Sequence, residues 1–358
     1  MSGLWSGEWT QTKGGILIPK RPIVKVFADE CKGSYQDFQF WTFIWGSEEG
    51  HRKYEAFVRD MTQDRSLFQP NFSSFRTLRS RLRGNAPLLL RKLLDGFMGF
   101  VKRGDLSLLV YLESNEKFQR NANYFFKRIE TEILNPETDM GRIFAKLPEE
   151  AKEVIAHQMK PVFYLLFLRQ IFGGEGVAFD FHPDHSSNYF AYRDKKYQIN
   201  DLEVAGSLDV RSLTSSLART YLNSLERAGE KFPDAFRESG FLRNTNQDIR
   251  SYYPLADEEC FTIQTADVIC NLLAASFAVE LGDTNSKSII KREIVRNVLP
   301  FEPEILSAVE EMEIIQGLNN GNALRLRAKP ELRSMLVATI HPLPAELAQS
   351  ISKIIKPH

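Results

Sequence analysis

The chain has 358 residues, of which 43% are hydrophobic and 26% charged, close to the globular average; a packed core is expected and wholesale disorder is excluded. Lys plus Arg and Asp plus Glu number 46 each, so the formal charge is zero. That excludes a protein that coats nucleic acid through bulk positive potential, while leaving room for a local basic groove.

Residues 1–21 are rich in glycine with little periodicity and read as an arm, pinned by Trp5 and Trp9. Pro22 opens an apolar strand, Ile23 to Ala28, that stops at Asp29-Glu30 and a turn through Gly33. Phe38 to Trp45 is β-branched and aromatic and ends at Gly46, and the short link predicts an antiparallel pair. A helix is predicted over 48–60, then an Arg-rich stretch (Arg76, Arg79, Arg81, Arg83), a helix over 87–102 and a strand over 106–112. Helical spacing returns over 117–134 and 147–172, with Pro161 as a break. Val177 to Phe181 is a short strand, followed by a polar interval, a helix over 209–229, a strand near 249–254 and a helix over 262–281. Beyond Gly282 the expectation is again helical, including the amphipathic runs at 305–309 and 345–348. The pattern is a mixed α/β domain over 22–282 with a helical insertion at about 114–172 and a helical C-terminal extension over 283–358.

Cys31, Cys260 and Cys270 show no CxxC or His/Cys ligand spacing, which points to reduced thiols rather than a disulfide framework or structural zinc. The longest apolar stretch, 268–279, contains Asn271 and Ser276 and falls short of the roughly 20 residues that span a bilayer. No sustained apolar run marks the first twenty residues, so a soluble cytoplasmic protein with no membrane segment is expected.

The candidate chemistry lies in carboxylates. Asp267 sits on a helix whose other positions are nearly all apolar, with Gln264 and Asn271 on its stripe and no Lys or Arg within a turn or two. A buried carboxylate needs a compensating cation, either a distant Arg or a metal ion. Asp29 ends the first strand and is delivered to the sheet's edge, while Glu30 alternates to the opposite face. Asp180 stands inside a strand, where Asp is disfavoured. His182 and His185 follow it, either as proton carriers or as histidines of a solvated turn.

An apolar strand ending in Asp-Glu, an Asp in a middle strand and a Gln-x-Ala-Asp helix near the end resemble the prokaryotic domain-of-unknown-function 3800 family. The matching segments are Val24 to Gly33, Val177 to Phe181 and Gln264 to Ile269; Cys31 stands where the family has Ser, and an extra residue precedes Gly33. The resemblance implies a ribonuclease H-like fold in which Asp29, Asp180 and Asp267, with Glu30 as a possible fourth ligand, hold two Mg²⁺ or Mn²⁺ ions; His182 or His185, just past Asp180, is the candidate to move a proton or contact the scissile phosphate. It implies a nuclease acting on RNA or DNA phosphodiesters, with a role in prokaryotic defence. Arg76, Arg79, Arg81, Arg83, Arg91 and Lys92, or Arg325, Arg327, Lys329 and Arg333, are candidate phosphate contacts. The alternative is a catalytically silent ribonuclease H-like module that binds nucleic acid or a protein partner. Docking of another subunit by the C-terminal helices is a third expectation.

Overall fold

The computed structural model describes residues 9–11, 17–19, 23–32, 38–63, 82, 84–114, 178–184, 189–192, 195–198, 249–255, 260–280, 282–298, 301–306, 323–328 and 335–339, with scattered positions in 137–168 and 214–219. The helix expected over 117–134 falls outside the described residues, as do most of those expected over 147–172 and 209–229, where Leu168, Thr214, Ser215 and Leu217 to Arg219 are described as helical.

The architecture is mixed α/β. Its spine is β3 (Ile23–Lys32), flanked by β4 (Phe38–Gly46) and β6 (Ala178–Pro183). β4 pairs antiparallel with β3 and carries β5 (Leu106–Ser114) antiparallel on its far side, whereas β6 pairs parallel with β3 and carries β9 (Ile249–Tyr252) parallel. These five strands form the centre of the sheet in the order β5-β4-β3-β6-β9. Alternation along β3 sends Val24, Val26 and Ala28 to one face and Lys25, Phe27, Asp29 and Cys31 to the other. Val24, Val26, Phe27, Ala28 and Asp29 are all buried, so both faces of this strand are covered.

Four helices are described: α1 (Glu48–Gln63), α2 (Ala86–Arg103), α3 (Phe261–Glu280) and α4 (Ser286–Val298). α1 begins where Ser47 Oγ accepts from Gly50 N–H at 3.0 Å, with Glu48 and Glu49 in its first turn, a helix-start pattern. α2 carries Pro in its first turn and ends at left-handed Gly104 (φ 78°), whose N–H and that of Asp105 close onto Val101 O and Phe100 O. α3 is apolar around nearly its whole circumference and is correspondingly buried, packing on β3, β4, α1 and α4. Ile44, Tyr54, Leu90, Phe97, Ile269 and Ile294 join the helices and this face of the sheet in one core. On the opposite face Phe43, Phe181 and Tyr252 stack in a row, with ring centroids 6.3 and 5.8 Å apart.

The C-terminal extension differs from its helical expectation. After α4 come β10 (Phe301–Leu306), β11 (Ala323–Ala328) and β12 (Met335–Thr339), and β12 adds parallel to β5, extending the sheet to eight strands. The signal was present in Ala323 to Ala328, where Leu and Arg alternate with period two, and in the β-rich run Met335 to Thr339. The amphipathic run at 305–309 begins inside β10, and its residues 307–309 lie outside the described residues. Two ribbons also replace expected loops: β1 (Trp9–Gln11) with β2 (Leu17–Pro19) in the arm, and β7 (Tyr189–Tyr192) with β8 (Lys195–Gln198) in the polar interval. Among the described residues no helix is long and apolar enough to cross a membrane.

Candidate functional site

Asp29 lies near the C-terminal end of β3, 4% exposed, on the face covered by α3. Its Oδ1 accepts the N–H of Glu30 at 2.7 Å, which fixes the carboxylate's rotamer. Cross-strand from it on β4 is Thr42, also buried.

The helix above can be aligned with the strand through its contacts. Phe27 packs with Ile263 and Cys260 at the start of α3, and Asn271 Nδ2 lies 3.7 Å from Cys31 Sγ. From Phe27 to Cys31 the strand advances about 13 Å, and from Ile263 to Asn271 the helix advances about 12 Å. Strand and helix therefore run side by side in the same direction. Asp267, midway between Ile263 and Asn271 in both height and azimuth, sits level with Asp29 and is 5% exposed.

Asp180 is elsewhere. The β3–β6 register sets it beside Lys25, four residues before Asp29, roughly 13 Å down the sheet. There Ser251 Oγ donates to its Oδ1 at 2.8 Å and Arg250 Nε lies 3.2 Å from the same atom. A register shift between Phe179 and Asp180 is a bulge in the β6–β9 ladder, and it lets both neighbours turn toward one carboxylate. Lys25 in turn pairs with Glu48 at 3.0 Å, so Asp180 belongs to a network of charges at the opposite end of the strand from Asp29. The expectation that Asp180 joins Asp29 and Asp267 is corrected accordingly.

The acid that does reach that level is Asp184, the residue directly after β6. Its N–H donates to Ala28 O at 2.6 Å, carrying the parallel register onward so that Asp184 is level with Asp29 and shares its face by alternation. Sequence reasoning passed over it. The usable signal was its place at the strand's end, like that of Asp29, since parallel strands present side chains together at their carboxyl ends.

Glu30 alternates to the other face, as expected, where burial first and the Glu30 charge second push the Tyr252 phenol up. His182 stacks on Phe27 at 5.2 Å, and its Nδ1 donates to Tyr253 O at 3.0 Å, leaving Nε2 as the ring's acceptor. Burial holds its pKa below the usual imidazole range. His51, on α1, meets the other side of Phe27 and donates from Nε2 to Lys25 O at 2.9 Å. Its Nδ1 is buried without a hydrogen-bond partner among the described residues, and burial lowers its pKa to about 4. His185 and Arg76, Arg79, Arg81 and Arg83 lie outside the described residues, while Arg91 and Lys92 occupy the exposed face of α2.

α3 is anchored over the site by Glu55, whose carboxylate accepts from the N–H groups of Thr262 (2.8 Å) and Phe261 (3.2 Å) and from Thr262 Oγ1 (3.0 Å). The Thr265 hydroxyl donates to Phe261 O at 2.9 Å, so the Tyr54 hydroxyl, 2.7 Å away, donates to Thr265. At the other end Lys291 Nζ donates to Asn271 Oδ1 at 2.5 Å. By strand register and helix rise, Asp29, Asp184 and Asp267 fall at one height along the sheet. Among the described residues no three His, Cys, Asp or Glu side chains are drawn together into a preformed metal cage. Comparison with family models, curated proteins and solved structures finds no match to the chain.

Proposed function

We propose that the chain is a cytoplasmic metal-dependent nuclease of ribonuclease H-like fold that hydrolyses RNA or DNA phosphodiester bonds. The observation that carries this reading is the common level of Asp29, Asp184 and Asp267 on the first long strand, its parallel neighbour and a late helix. The strand order supports it, because β3 lies directly between antiparallel β4 and parallel β6, bringing the first and middle acidic strands side by side.

In this reading Asp29, Asp184 and Asp267 hold Mg²⁺ or Mn²⁺. Such ions, when bound, supply Lewis-acid stabilisation of a phosphodiester and its leaving oxygen. The chain's own part is positional. Glu30 N–H orients Asp29, the backbone bond to Ala28 sets the height of Asp184, and the Glu55 cap holds α3 so that Asp267 stays opposite them. The neutral rings of His51 and His182 pack against Phe27 and bring no positive charge to compete with a cation.

The test is cleavage of labelled RNA and DNA with Mn²⁺ or Mg²⁺ by the parent and by Asp29→Asn, Asp184→Asn and Asp267→Asn. Each variant should lose activity by about a hundredfold or more while retaining the parent's circular dichroism. Equal cleavage by parent and Asp267→Asn sinks the proposal.

A second reading is favoured by Lys291, whose ammonium reaches Asn271 one turn from Asp267 and brings a protein cation near the acidic level. On that reading the domain is a silent module that binds nucleic acid or a protein partner. It predicts no chelator-reversible rise in melting temperature with Mn²⁺, whereas the nuclease reading predicts one that Asp29→Ala abolishes.

A further inference from the structure

Two of the three thiols converge beside the acidic level. Cys31 is cross-strand from Phe40, and Cys270 Sγ donates to Phe40 O at 3.1 Å. Asn271, the next residue on α3, places its Nδ2 3.7 Å from Cys31 Sγ. Cys270 thus touches the residue paired with Cys31, and its neighbour Asn271 touches Cys31 itself, which places the two thiols side by side between strand and helix. Cys31 is partly exposed and Cys270 fully buried, so Cys31 is the thiol that a solute meets first. Cys260 lies ten residues earlier on the chain, in the Glu55 cap, about 15 Å along the helix from Cys270.

We propose that Cys31 and Cys270 form an oxidation site for hydroperoxides, closing to a disulfide that ties β3 to α3 next to Asp29 and Asp267. The Cys31 sulfur attacks one peroxide oxygen; the O–O bond breaks, and water or an alcohol leaves, giving a Cys31 sulfenic acid. The Cys270 sulfur then attacks the Cys31 sulfur. The S–S bond forms, the S–O bond breaks and a water leaves with the two remaining protons. Two thiols lose two electrons and the peroxide gains them, so no further reagent is required. The site needs neither a bound metal nor nucleic acid, and its fate is separate from that of the nuclease reading.

The test uses the full chain, oxidised in its native state with hydrogen peroxide, then unfolded in urea with N-ethylmaleimide and mapped by peptide mass spectrometry. Alkylatable thiols should fall from three to one, with Cys260 still alkylated and a linked peptide joining Cys31 to Cys270. Melting temperature should rise by roughly 5–10 °C and return on reduction. Cys260→Ser should behave as the parent does. Recovery of Cys31 as sulfinic acid with Cys270 still alkylatable, or a link that appears only when peroxide is added in urea, overturns the proposal.

Discussion

Arg250 Nε lies 3.2 Å from Oδ1 of Asp180, and this pairing gives an acidic residue inside a strand its own cation. Asp180→Asn should therefore keep metal-dependent activity within a few-fold of the parent, whereas Asp184→Asn should lose it. Arg250→Ala, which leaves a buried carboxylate with Ser251 as its remaining named donor, should cost about 1–2 kcal/mol in urea unfolding. A hundredfold activity loss in Asp180→Asn would return that residue to the active level.

Glu55 reaches from one helix to cap another. Glu55→Ala strands two backbone N–H groups and the Thr262 hydroxyl at the start of α3, a loss of about 2–3 kcal/mol. Glu55→Gln keeps an acceptor oxygen and should cost about half as much. Because α3 carries Asp267, the alanine variant should also weaken any Mn²⁺-induced thermal shift. Equal stability of parent and alanine variant contradicts the capping role.

His51 makes stability depend on pH. Its pKa is near the ordinary 6.5 when unfolded and about 4 when folded, depressed by burial. Between those values the unfolded chain binds the proton and the folded one does not, so stability is constant above pH 6.5 and falls as pH drops toward 4. The loss attributable to this ring is about 3 kcal/mol. His51→Gln should flatten the slope of unfolding free energy between pH 6.5 and 4.5, and an unchanged slope in that variant rules the assignment out.

Gly50 allows α1 to lie against the turn that precedes β5. A Cβ there would meet Asp105 O at 2.3 Å, and a backbone oxygen cannot rotate away. Gly50→Ala gains about 1 kcal/mol of helix propensity, yet the clash should outweigh it and leave a net loss of about 1–3 kcal/mol. A stabilised variant in thermal unfolding shows that the helix can shift at little cost.

Much of the central fold was legible because its elements obey local rules. The apolar run Ile23 to Ala28, the aromatic run Phe38 to Trp45 and the apolar circumference of Phe261 to Glu280 each name their element without reference to the rest of the chain. Asp29 stood out as a charge at the end of an apolar strand, and Asp267 as a charge within an apolar helix. The strands of the C-terminal extension were harder, since β10 to β12 are short and gain definition from pairing along β5 and one another.

Residue order alone determined that this chain has an apolar first strand closed by an acid and a buried helix bearing another. Whether Asp180 or Asp184 stands level with Asp29 was a question of register. Asp180 and Asp184 share a face and differ only by four residues of rise, and local propensity carries no information about how far one strand slides along its neighbour. That offset is set by the ladder from Ile23–Ala178 to Ala28–Pro183 and by the bulge that hands Asp180 to Arg250. The tertiary structure decided it, because hydrogen bonds between strands distant in sequence exist only once the sheet has formed.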